Sequence, residues 1–168
     1  MLTSDELNEV RWCVKEWLYK IGITQPPIPV YEVAAYLGYP VRVTDMWSAT
    51  LAERRRVRGK PEILVYAGCT GDPTVRHRRL RFAVCHEVMA LQFPEFSANG
   101  RPGAERVYQR CASELLLYRP WLAECGSRVG WNLPEIVEQM DASWEATTRA
   151  LLDADELVLT IPIAVSRR

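Results

Sequence analysis

Apolar residues recur at helical spacing between Thr3 and Gly22, at Leu7, Val10, Val14, Trp17, Leu18 and Ile21, and predict a first helix there. Thr3 with Glu6 three residues on has the form of a capping box, and Gly22 is a natural stop. After the stiff Gln25 to Pro29 segment, Val30 to Leu37 reads as a short helix closed by Gly38. Strands are predicted around Val41 to Thr44 and Glu62 to Ala67. Between them Arg54, Arg55, Arg56, Arg58 and Lys60 form a basic run, read either as a solvated hairpin or edge strand or as a nucleic-acid contact.

Asp72 followed by Pro73 is a strong helix start, and the pattern carries that helix to about Gln92. A loop bearing Pro and Gly, Pro94 to Gly103, leads to a helix over Ala104 to Leu117, and Tyr118-Arg119-Pro120 turns the chain. Three shorter helical segments follow, the last two at Leu133 to Met140 and Ala142 to Leu152, and then a strand-like stretch, Leu157 to Ile163.

With 168 residues, 48% of them hydrophobic, the chain can bury a core of its own. Its 21 acidic and 21 basic side chains cancel, so nucleic acid or an anionic membrane would have to be bound by a local patch. The five cysteines form no CxxC pair and no signal-peptide pattern opens the chain, which suits reduced thiols and a cytoplasmic location. No apolar run approaches the roughly 20 residues that cross a bilayer; Leu157 to Val165 is short and broken by Pro162.

The chemistry lies in His86-Glu87-Val88-Met89-Ala90, which begins like HExxH, the helical motif whose two histidines grip zinc while the Glu acts on metal-bound water. Alanine stands in place of the second histidine. The stretch Arg81 to Glu87 (RFAVCHE) resembles the RFTLAHE approach to the active-site helix of ImmA/IrrE metallopeptidases, and Glu105 to Leu117 (ERVYQRCASELLL) resembles their downstream ExxANxFAAELLMP segment. Val33 to Gly38 and Glu62 to Ala67 are similar to that family's leading helix and strand, and Ile136 to Leu151 to its helix-turn-helix-like element, with Asp141 where a glycine is usual.

This resemblance implies an α+β fold: a small, twisted, mainly antiparallel sheet packed by a zincin-like active-site helix and the helix carrying Glu105, with short C-terminal helices. It divides the chain into a helix and Pro-rich linker at 1–28, a metallopeptidase-like domain at 29–126, and helix-turn-helix-like helices with a terminal strand at 127–168. It also implies a zinc endopeptidase that cuts a repressor protein, with His86 the first ligand, Glu87 the general base, position 90 the second ligand and Glu105 the third. Gln109, one turn beyond Glu105, would support that ligand. Glu114, nine residues past Glu105, is about half a turn out of phase and reads as structural.

Nothing local replaces the missing imidazole. His77, nine positions before His86, faces the opposite side of the same helix; Cys85 lies about 100° around, Met89 is a poor zinc ligand, and Cys111 is out of phase with Glu105. Remote Cys69 or Cys125 remains open. Two ligands fall below the three that catalytic zinc takes from protein, so zinc should be weak or absent. The expected function is a regulatory, protein-binding relative of these peptidases in repressor, mobile-element or stress control, with a helix-turn-helix repressor as a candidate partner. One alternative is a zinc endopeptidase with an unusual or partner-supplied ligand, or with an engineered Ala90. The other is a nucleic-acid-binding module using Arg54, Arg55, Arg56 and Arg58 with Arg76 and Arg79. The acidic stretch Leu133 to Leu152 opposes phosphate binding and reads as a packing or protein-docking element.

Overall fold

In α1 (Ser4–Ile21) the capping box forms as expected: the Glu6 amide donates to Thr3 Oγ1 at 3.2 Å and the Thr3 amide to Glu6 Oε2 at 2.7 Å. Gly22, at φ 82°, closes the helix in the left-handed conformation that glycine adopts without strain. A computed structural model describes residues 2–68, 71–100 and 102–153. α2 (Val30–Tyr36) leads into β1 (Val41–Thr44), and β2 (Ala52–Val57) folds back on β3 (Lys60–Tyr66) through Arg58 and Gly59, both at positive φ. That is the backbone a two-residue hairpin turn requires.

The sheet has the order β1-β3-β2, with β3 antiparallel to β2 and parallel to β1. The chain is α+β as expected, with a small open three-stranded sheet that is mixed, its longer pairing antiparallel and its shorter one parallel. β3 takes the centre because Ile63, Leu64 and Val65 are buried in succession, as in a strand covered on both faces. β2, with Glu53, Arg54 and Arg56 exposed, is an edge strand, as one reading of the basic run predicted.

α3 (Pro73–Gln92) is the spine of the fold. Asp72 Oδ1 accepts from the Thr74 and Val75 amides at 2.8 and 3.0 Å, and Pro73 occupies the first turn. The helix packs on α2, the sheet and α4 (Ala104–Leu116), which follows a 3-10 turn at Pro94–Gly100. Buried Val84, Cys85, Val88 and Met89 on α3 meet Val107, Cys111, Ala112 and Leu115 on α4 within one core. α5 (Arg119–Arg128), α6 (Leu133–Met140) and α7 (Trp144–Leu152) complete the described chain. Gly126 lets Trp131 pack flat on α5, because a Cβ there would lie 2.3 Å from the indole.

The α6–α7 turn is tied to α3 by Asp141, which stands at φ 47°. Its carboxylate takes His77 Nε2 at 3.0 Å, Arg78 Nε at 3.3 Å and Arg81 Nη1 at 2.5 Å. Arg81 also donates to the Ile28 carbonyl at 2.9 Å, and Arg78 to Glu138 at 2.6 Å. α6 and α7 are thus packed on α3 through the acidic turn between them. No described helix is long and apolar enough to cross a membrane. The strand-like stretch expected at Leu157 to Ile163 lies outside the described residues.

Candidate functional site

One turn before Ala90, His86 sits between two carboxylates from different helices. Its Nδ1 lies 3.1 Å from Glu87 Oε1, and its Nε2 lies 3.1 Å from Glu105 Oε1, out of line for a hydrogen bond. Tyr108 meets the imidazole edge-on, with ring centroids 5.9 Å apart. Gln109 donates to Glu105 at 3.2 Å, one turn along α4. The fold therefore brings His86, Glu87, Glu105 and Gln109 together from α3 and α4. Glu114 is directed elsewhere: it is 4% exposed and held by Arg11 and Arg119 at 3.1 Å and Arg110 at 3.3 Å.

Burial of the imidazole disfavours its charged form, but the hydrogen bond to Glu87 and the charges of Glu105 and Glu87 outweigh that, so the His86 pKa stands above its ordinary value. Burial pushes the Cys85 and Cys111 thiols up to about 12. Both are protonated at neutral pH, so neither is a ready metal ligand or nucleophile.

The expected second ligand position is closed. Ala90 is buried and carries no donor atom, and among the described residues no group of three His, Cys, Asp or Glu side chains stands close enough to hold a metal. Among the described residues the convergence of His86 and Glu105 leaves two donors, which do not fit a catalytic zinc; Cys69 lies outside the described residues.

A cation does reach the site, from an unexpected element. Arg54, on β2, places its Nε 2.8 Å from Glu87 Oε2 and donates from Nη1 to the Ala90 carbonyl at 3.3 Å. Sequence reasoning put Arg54 in a surface patch. Its partner is 33 residues away, set by how β2 lies along α3, and no local spacing reports that. The other arginines of that patch diverge: Arg55 pairs with Glu62 at 2.8 Å, Arg56 donates to the Gly59 carbonyl at 3.3 Å, and Arg76 to the Ala67 carbonyl at 3.4 Å. Arg58 and Arg79 are exposed.

No protein-family model matches the chain, and no curated protein matches it. Among solved structures, a Mycobacterium tuberculosis transcriptional regulator superposes with a TM-score of 0.63 at 16% identity. The likeness is one of fold. It covers 86% of this chain and 46% of the regulator, so this chain spans less than half of that protein's length.

Proposed function

We infer that the chain is a regulatory protein of metallopeptidase descent, similar to the ImmA/IrrE kind, that binds a protein partner without cutting it. The observation that carries this reading is Arg54. A general base working on metal-bound water must be free to take a proton, whereas Glu87 is ion-paired to a guanidinium beside the residue that lacks the ligand. The fold shared with a transcriptional regulator agrees with a regulatory role, and the resemblance points to a helix-turn-helix repressor as the partner class.

Elemental analysis of dialysed protein tests the reading, and substoichiometric zinc is expected. One tightly held zinc per chain would overturn it. The second reading, a zinc endopeptidase with a ligand supplied from elsewhere, draws support from the way Glu105 turns toward the buried His86 Nε2. Ala90→His separates descent from coincidence: with His86 one turn away and Glu105 already in place, it should raise zinc affinity. If that variant binds zinc no better than the parent, the site assignment is wrong.

A further inference from the structure

A groove of about 640 Å³ runs between α3, α4 and α7. Its floor on α3 is the stripe Val75, Arg79 and Phe82, at helical spacing, and His86 lies one turn further along the same stripe. Leu51 and Trp144 form the apolar sides, and Gln109, which donates to Glu105, lines the groove from α4. The groove and the His86–Glu105 pair are thus parts of one surface.

Two of the three arginines in the lining are already neutralised. Arg78 is held by Glu138 and Asp141, and Arg149 pairs with Glu145 at 3.0 Å on its own helix. Arg79 is exposed and forms no ion pair among the described residues. It stands beside Val75, 46% exposed, and Trp144, 53% exposed. Exposed apolar side chains are common on this surface, but these line one groove together with an uncompensated guanidinium, so the groove offers an apolar and a charged contact side by side. A single free guanidinium on apolar walls suits neither a phosphate backbone, which needs several cations, nor a lipid surface.

We propose that this groove binds a peptide segment of the partner protein in which a large apolar side chain and a carboxylate lie close together. The apolar side chain seats between Phe82 and Trp144, and Arg79 takes the carboxylate. This rests on the protein-binding reading above and names the chemistry of its partner.

The test is selection of a displayed library of random short peptides on the intact protein. Enriched sequences should pair an apolar residue with Asp or Glu, and a synthetic copy labelled with fluorescein should lose affinity about tenfold or more on Arg79→Glu, the scale of a broken charge pair. The same peptide with its acid replaced by lysine should recover affinity for Arg79→Glu, which controls for a folding defect in that exposed variant. Trp144→Ser should weaken both peptides. Enrichment of basic or charge-indifferent sequences, or affinity that Arg79→Glu leaves unchanged, would sink the proposal. So would failure to select any peptide, as when the groove is filled by residues 154–168 or by a second copy. Cleavage of the selected peptides would instead keep the groove and overturn the non-catalytic reading, while absent zinc with no selection would do the reverse.

Discussion

In the first half of α3, His77, Arg78 and Arg81 converge on Asp141, and each of these side chains has a carboxylate from the α6–α7 segment within 3.3 Å. In the second half, His86 and Glu87 face the α4 carboxylate and a guanidinium reaching in from the sheet. The first arrangement joins two buried arginines to a part of the chain 60 residues away and reads as architecture. The second leaves a buried imidazole nitrogen without a hydrogen bond and rests on an arginine that is 43% exposed. Neither network is fully satisfied, since Arg81 Nε in the first is also buried without a hydrogen bond; what separates them is that the first is built on two nearly buried guanidiniums and the second on an imidazole and a half-exposed one. The contrast teaches that ion pairs on one core helix weigh by the burial of their members, those set on buried guanidiniums holding the fold and one that reaches an exposed arginine contributing little.

The comparison breaks most easily at Asp141. Asp141→Ala removes the shared partner of two nearly buried arginines and should destabilise the protein by about 3 kcal/mol, the usual scale for breaking such a pair, or roughly 10 °C in melting temperature. Asp141→Gly also relieves the φ of 47°, so it should lose somewhat less. Full stability in the glycine variant would mean that backbone conformation, not charge, holds the turn.

A smaller effect is expected at the other end. Arg54→Ala should cost about 1 kcal/mol, given the exposure of the arginine, and Glu87→Gln a similar amount, a shift of a few degrees. Combined, the two should cost less than their sum, because each removes the same contact. Strict additivity in thermal melts would show that the Arg54–Glu87 pair contributes nothing. Peptide binding should survive Glu87→Gln, whereas in a working protease that change abolishes turnover.

The smallest effect is a pH dependence. The His86 pKa is raised in the fold, so its charged form stabilises the native state. That contribution is complete below about 6.5, the value expected of an unfolded histidine, and is lost as pH rises through the higher folded value. The stability difference between the parent and His86→Gln should therefore be greatest in mild acid and shrink toward alkaline pH in denaturant melts. A difference independent of pH would remove the charged contact with Glu87 and Glu105 from the account.

Local chemistry made much of the architecture legible. The Thr3 and Asp72 caps, Gly22 and the apolar periodicities place α1 and α3 to within a residue or so, and the hairpin reading of the arginine run was sound. The parallel partnership of β1 with β3 was not readable, since strand pairing depends on which strand is buried on both faces rather than on either strand's own pattern. The placement of His86, Glu105 and Gln109 follows from helical phase once α3 and α4 are packed together. The Arg54 contact does not, because its distance from Glu87 is fixed by the approach of a strand to a helix. Asp141 was noted only as an unusual turn residue, and its three ion partners could not be seen before the turn was laid on α3.

α7 is anchored at both extremities. Asp141, just before it, is bound to α3, and Asp153, just after it, is bound by Arg110 and Arg119, its carbonyl accepting from them at 3.3 and 3.2 Å. A span clamped at each end resists bending between the clamps, and Trp144 to Arg149 is the stretch that forms the jaw of the groove. A peptide that enters the proposed groove would meet a jaw tied at both ends, with less backbone ordering left to oppose binding. Loosening either clamp should blur which side chain the slot admits well before it unfolds the domain.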